Sequence, residues 1–107
     1  MTFEPEKLTG AHLRAARALI GVSGETLAKK TNLGLSTVRR AEATDGAPQI
    51  TRANAFSLIK ALEELNVVFL EMDSSAGIGV RLKVGANKES GASPASGVVR
   101  SGTKFNQ

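Results

Sequence analysis

The chain of 107 residues is long enough for one domain, and without cysteine it forms neither disulfides nor thiolate metal sites. Lys and Arg outnumber Asp and Glu by 14 to 10, and the net charge of +4 is compatible with a polyanionic partner such as nucleic acid. The one histidine, His12, has no second imidazole or thiol to act with, so we expect no enzyme, no metal site and no cofactor.

The amino-terminal residues carry acidic side chains before any apolar run, which is unlike a secretory signal peptide. No window of the sequence approaches the roughly 18 apolar residues that a membrane-spanning helix needs. We therefore expect a soluble, cytoplasmic protein with no membrane partner. Residues 1–7 have no periodic pattern and are predicted to form a loose, flexible arm.

A first helix is predicted to begin after Thr9, which is a good N-cap residue. Gly21 is predicted to end it, because glycine readily adopts the left-handed conformation found at helix ends. Arg14 and Arg17 fall outside the apolar stripe of this helix and are expected on an exposed face. The stripe itself has helical spacing and consists of Leu13, Ala16 and Ile20.

Two short helices joined by a tight turn are predicted next. Ser23 is the expected cap of the second helix, and Ser36 is the expected cap of a third helix over residues 36–43. Two helices packed across a short turn need small and apolar residues at their contact and a turn residue that tolerates positive φ. The residues that meet these requirements are Leu27, Ala28, Asn32, Leu33, Val38 and Ala41.

A longer fourth helix and a β-hairpin are predicted to follow. Thr51 is the expected cap of a helix over residues 52–65. Residues 67–71 are β-branched and aromatic, and residues 78–84 alternate apolar with polar or small side chains, as strands do. The intervening residues 72–77 contain Asp, Ser and Gly and suit a loop.

The first strand is apolar on both faces, which is unusual for a hairpin on one layer of helices. Val67 and Phe69 point to one side and Val68 and Leu70 to the other. The helices can cover only one of these faces. An uncovered apolar face is typical of a partner surface, so we predict a homodimer interface that includes Val68 and Leu70.

Residues 85–107 differ in kind from the rest of the chain. Gly, Ser, Ala and Asn dominate there, and few side chains could pack. Such a segment cannot bury enough apolar area to offset the entropy of ordering it, so a disordered tail is expected.

The stretch GETLAKKTNLGLSTVRRAEA, residues 24–43, resembles the helix-turn-helix of the lambda-repressor/Cro-like (XRE) transcriptional regulators. The runs LTGAHLRAARALIGVS at residues 8–23, and LEELNVVFLE and GVRLK within residues 62–83, are similar to the first helix, terminal helix and hairpin of short alphaproteobacterial members. The resemblance covers about residues 8–84. It implies a mostly α fold, a four-helix lambda-repressor-like DNA-binding domain followed by a C-terminal β-hairpin and a flexible tail.

The resemblance also implies a function and a set of site residues. Helix 36–43 would enter the major groove of double-stranded DNA with its N-terminal turn leading, in a homodimer bound to a palindrome-like operator. We expect a sequence-specific regulator that represses by occlusion. The residues implied to read bases are Leu35, Ser36, Thr37 and Arg40, with Arg40 placed for a bidentate contact to guanine. The residues implied to bind phosphates are Thr26, Lys29, Lys30 and Arg39.

Two positions depart from the family pattern. Gly24 stands where Gln is common, and Leu35 stands where the recognition helix often has a polar residue. The alternative function is therefore a protein-interaction module of the antitoxin or antiactivator type, which would bind a second regulatory protein through the same fold. A third interpretation, nonspecific nucleic-acid binding, also remains open.

Overall fold

The structure is a computed structural model that describes residues 3–84. In this range four α-helices precede a two-stranded antiparallel sheet, which confirms the predicted mostly α class with a hairpin. None of these helices has both the length and the apolar character needed to cross a membrane. The tail predicted over residues 85–107 lies outside the described residues. The elements are α1 Gly10–Ile20, α2 Gly24–Thr31, α3 Leu35–Glu42, α4 Arg52–Glu64, β1 Val67–Leu70 and β2 Gly79–Leu82.

Local signals set the ends of most helices. α1 ends at Gly21 with φ of 70°, and α2 ends at Asn32 with φ of 60°, so both residues take the predicted left-handed conformation. The predicted N-caps of α1, α2 and α4 are confirmed, since each side chain accepts a backbone hydrogen bond from three residues ahead. These pairs are Thr9 with His12, Ser23 with Thr26, and Thr51 with Asn54.

The predicted cap of α3 is wrong. The helix begins at Leu35, so Ser36 lies inside its first turn, and the N-cap is Gly34, which has no side chain to bond with. The Gly34 carbonyl already accepts the N–H groups of Thr37 (3.0 Å) and Val38 (3.2 Å). The helix therefore starts one residue earlier than the serine pattern indicated.

The core lies between the four helices and the inner face of the hairpin. Full burial of a Leu, Ile or Val side chain contributes about 1.5–3 kcal/mol, so this cluster is the main source of stability. The inward-facing residues predicted for the helix-turn-helix are buried, and Leu33 is partly buried against the same cluster. The largest buried apolar side chains are Leu8, Leu13, Leu27, Val38, Leu58, Ile59 and Leu62.

The predicted loose arm is instead packed against the domain over residues 3–7. Its Phe3 ring lies 5.3 Å from the Phe69 ring, and its Phe3 N–H donates to Glu63 Oε2 at 3.0 Å. Pro5–Lys7 forms a 3-10 turn, and Lys7 Nζ lies 3.1 Å from Glu71 Oε1. The Phe3 ring packs against the core, and polar contacts on both sides of it hold the segment beside α4 and β1.

The hairpin shows the predicted alternation. β1 and β2 pair antiparallel, with Phe69 opposite Val80 and Leu70 opposite Gly79. Val67 and Phe69 are buried on the helical side, whereas Val68 and Leu70 are half-buried on the outer side. The outer face therefore retains exposed apolar area in the described part of the chain.

Candidate nucleic-acid interface

Helix α3 presents a polar outer face because its inner face is anchored in the core. Val38 and Ala41 are one turn apart and almost fully buried. Helical geometry then directs the intervening positions away from the core. Ser36, Arg39 and Arg40 are exposed and Thr37 is half-buried. Of the predicted base-reading residues, Ser36 and Arg40 are thus open to solvent and Thr37 is partly so.

Leu35 occupies a different environment from the other predicted base-reading residues. Its side chain is half-buried and packs against the core cluster. A Cβ built on Gly24 would lie 3.5 Å from Leu35 Cδ1, so Gly24 and Leu35 are neighbours in space. Leu35 therefore offers only part of its surface to a partner.

The cations around α3 fall into two groups. In the part of the chain that the structure describes, Lys29, Arg39 and Arg40 form no ion pair. Lys30 differs, because its Nζ lies 3.8 Å from Glu64 Oε1 on α4. An anion at α3 therefore finds two exposed guanidinium groups without competing carboxylates within ion-pairing distance.

The C-terminal end of α3 is held by two arginines of α1. Arg17 makes a bidentate pair with Glu42, with Nε–Oε2 at 2.6 Å and Nη2–Oε1 at 2.7 Å. These hydrogen bonds raise the pKa of the Arg17 guanidinium above its ordinary value. Arg14 donates to the carbonyls of Glu42 (2.6 Å) and Thr44 (3.1 Å) and pairs with Asp45. Cations are favourable at a helix C-terminus, where carbonyls lack partners.

Arg14 is exposed as expected, whereas the expectation of an exposed Arg17 is wrong. The Arg17 side chain is 26% exposed and that of Glu42 is 10% exposed. Both arginines connect α1 to the end of the predicted recognition helix. Their partners lie on another helix and its following loop, so periodicity within α1 could not reveal them.

Replacing Arg17 with alanine is expected to lower the free energy of unfolding by about 2 kcal/mol, because it leaves the Glu42 carboxylate nearly buried without its cation. Urea unfolding followed by circular dichroism measures this change. The matched control is Lys7→Ala, which breaks the exposed pair with Glu71 and should have a distinctly smaller effect. Equal losses in the two variants would contradict a structural role for the Arg17 pair.

A shallow groove beside α3 contains polar residues outside the predicted site. It runs between Thr37 and Arg40 on one side and the start of α4 on the other. Gln49 is exposed and Asn54 half-buried there. The signal available in the sequence was the presence of Gln49, Thr51 and Asn54 shortly after Pro48. The groove is lined by Thr37, Arg40, Gln49, Ile50, Thr51 and Asn54.

His12 has a structural role that the sequence did not indicate. It is 1% exposed, Thr9 N–H donates to its Nδ1 at 3.1 Å, and its Nε2 lies 2.9 Å from Leu70 O. A neutral ring protonated on Nε2 satisfies both contacts, because Nδ1 is then the acceptor. Residues 3–84 contain no cluster of His, Asp and Glu side chains suited to hold a metal ion.

The predicted phosphate and dimer residues are placed as follows. Thr26 is exposed in the first turn of α2, and its Oγ1 accepts from Ser23 Oγ at 3.0 Å. Val68 lies opposite Arg81 on the outer face of the hairpin, and Leu70 Cδ1 covers Gly79, where a Cβ would be 3.8 Å away.

No family model and no curated protein matches this sequence.

Proposed function

We propose that this chain is a sequence-specific DNA-binding transcriptional regulator with a lambda-repressor-like helix-turn-helix domain. The observation that carries the proposal is the outer face of α3, where Arg39 and Arg40 are exposed and form no ion pair among the described residues. An unpaired guanidinium fork has the geometry for phosphates and for the O6 and N7 atoms of guanine. The inner face of α3 is anchored in the core and its C-terminal end is held by α1, so the two guanidinium groups stand on a rigid helix.

The residues divide by their position relative to the duplex. Side chains in the first turns of α3 would reach base edges, with Arg40 as the main guanine contact. Phosphates would be bound by Thr26, Lys29 and Arg39, and by polar groups of the groove at the start of α4. Lys30 is a weaker candidate because Glu64 already lies near it. The proposed base-reading set is Leu35, Ser36, Thr37 and Arg40.

The proposal includes a homodimer in the cytoplasm. One short recognition helix reads only a few base pairs, and a two-fold dimer doubles the site by placing two such helices about 34 Å apart in successive major grooves. The operator would then be palindrome-like. A small regulator without an effector domain in residues 3–84 would act as a repressor by occluding the promoter.

Selection of bound sites from random DNA by the purified full-length protein tests this proposal directly. The expected result is an enriched, two-fold symmetric sequence. Recovery of unrelated sequences in proportion to their abundance would contradict sequence-specific regulation.

The Arg40→Ala variant is expected to lose discrimination at one base pair of each half-site, at a cost of about 1–3 kcal/mol per half-site. Arg39→Ala should instead weaken binding equally to the selected site and to random DNA. It should also reduce the slope of log affinity against log salt concentration by about one. Gel shifts at two salt concentrations measure both effects. Lys60→Ala, which removes an exposed charge on α4, is the control and should leave the ratio unchanged. Unaltered discrimination in Arg40→Ala would refute the assigned base contact.

One observation favours the protein-interaction alternative. The opening of the motif is apolar, and a depression between α2 and α3 is lined in part by Leu33 and Leu35 beside Lys29 and Glu25. Such a surface suits a second regulatory protein, as in an antitoxin or antiactivator. Absence of any enriched DNA sequence, together with loss of a protein partner in Leu35→Lys, would favour this function.

A further inference from the structure

The exposed apolar side chains are concentrated on the hairpin. Among the described residues six large apolar side chains are exposed, and four of them follow β1 in the chain. Leu82 is 47% exposed and Ile78 is 40% exposed, although both flank Val80, which packs against the core. Side chains two positions apart share a sheet face, so these three residues form one apolar row along β2. The four exposed residues are Met72, Ile78, Leu82 and Val84.

Strand β2 also has an unpaired edge. Within residues 3–84 it pairs with β1 alone, and residues 79–82 make no other backbone hydrogen bond. A free edge carries unsatisfied N–H and C=O groups and is a template for another strand. The apolar row, within residues 78–82, therefore covers the free-edge strand β2 and the residue directly before it.

We propose that β2 pairs antiparallel with β2 of a second copy, with Val80 on the two-fold axis, to form a four-stranded intermolecular sheet. This inference rests on the homodimer included in the proposed function and specifies how that dimer is built. A two-fold axis perpendicular to the sheet places both helical domains on the same side of it. The two-fold symmetry of such a dimer matches that of a palindrome-like operator.

The side-chain pattern is self-complementary in this register. Each Ile78 lies opposite Leu82 of the partner subunit, so both half-exposed side chains gain an apolar neighbour. Each Arg81 lies opposite Gly79 of the partner subunit, so no like charges meet across the new ladder. This register thus buries the apolar row and also keeps the two Arg81 side chains from facing each other.

Neighbouring registers lack this match. An axis at Arg81 sets two guanidinium groups directly against each other, which is destabilising. An axis at Gly79 sets Leu82 against Ala76 of the partner subunit and leaves most of the leucine uncovered. In this pairing Val68 and Leu70 stay on the outer face of β1, separated from the partner subunit's β1 by the two β2 strands, so the pairing does not use the interface predicted for them.

Engineered cysteines test the register without background, because the native chain contains no cysteine. In the double variant Ile78→Cys/Leu82→Cys the new thiols of two copies lie opposite each other, with Cα atoms about 4.5–5.5 Å apart, which suits a disulfide. In either single variant the two identical positions are four residues apart along the ladder, about 13 Å, which is too far. The same distance prevents a disulfide within one chain.

The full-length variants are oxidised in a glutathione buffer and separated on a non-reducing gel. The double variant should form a covalent dimer at least tenfold faster than either single variant. Val80→Cys, which lies on the axis, should form one by itself and serves as an independent check if the double variant folds poorly. Sedimentation of the reduced proteins should give a dimer.

The proposed register would be wrong if the single variants formed disulfide-linked dimers as fast as the double variant. It would also be wrong if neither the double variant nor Val80→Cys formed such a dimer. Neither result would affect DNA recognition, which is measured separately by site selection with the native chain. Conversely, if the variants form disulfide-linked dimers as expected but the native chain enriches no DNA sequence, the proposed function is refuted and the proposed dimer is not.

Discussion

Replacing Gly10 with alanine is expected to lower the free energy of unfolding by about 3 kcal/mol or more. A Cβ at this position would lie 1.9 Å from the Thr44 carbonyl oxygen and 2.7 Å from that of Ala41. Both obstacles are backbone atoms, so no side-chain rotation relieves the clash. The Gly10 N–H also donates to Gly46 O at 2.9 Å, which fixes the start of α1 against the loop after α3.

Gly24→Ala is the matched control, since Gly24 is the first residue of α2 as Gly10 is of α1. The nearest atom to its added Cβ is Leu35 Cδ1 at 3.5 Å, an ordinary contact. Alanine is the better helix former, so we expect no loss and a gain of up to about 1 kcal/mol. Urea unfolding measures both variants. Similar stability changes in the two would refute the close approach of α1 to the end of α3.

The His12→Ala variant is expected to lose about 3–4 kcal/mol of unfolding free energy. It removes a fully buried ring that contacts Phe3 at 5.2 Å and Phe69 at 5.7 Å between ring centroids. It also leaves the Thr9 N–H and the Leu70 carbonyl without their partner. The loss should be visible in chemical unfolding as a lower midpoint with an unchanged slope.

Two further variants separate the causes. His12→Phe keeps an aromatic ring in the core and removes the polar contacts, so its loss measures the hydrogen bonds and should be smaller than that of His12→Ala. Leu19→Ala removes a side chain that is 44% exposed on the same helix, and its loss should stay within about 1 kcal/mol. A His12→Ala protein as stable as Leu19→Ala would show that the histidine does not tie α1 to the hairpin.

Together these contacts give α1 two attachments. Gly10, Arg14 and Arg17 hold the end of α3, and His12 holds the last residue of β1. The proposed DNA-reading helix and the hairpin that contains the proposed dimer strand are thus fixed to one helix. Loss of either attachment should therefore weaken the proposed operator binding, although neither set of residues belongs to the proposed DNA contacts.

Much of the fold could be predicted because its signals are local. Thr9, Ser23 and Thr51 cap their helices through bonds that span three residues, and Gly21 and Asn32 end theirs through their own backbone conformation. Alternation along β1 likewise depends only on the pleat of the strand. Arg40 could be placed on the outer face of α3 for the same reason, since helical geometry sets its direction relative to Val38 and Ala41.

Only the tertiary structure decided which polar groups act as structural contacts. Arg17 pairs across 25 residues with Glu42, His12 across 58 with Leu70, and Phe3 across 60 with Glu63. No local periodicity encodes such partners, so charged or aromatic residues near the N-terminus looked like a solvated surface. The need for glycine at position 10 could not be predicted for the same reason, because the backbone that Gly10 approaches belongs to another helix and the loop after it. Sequence determined where each element begins and which face is apolar; packing determined which elements hold one another in place.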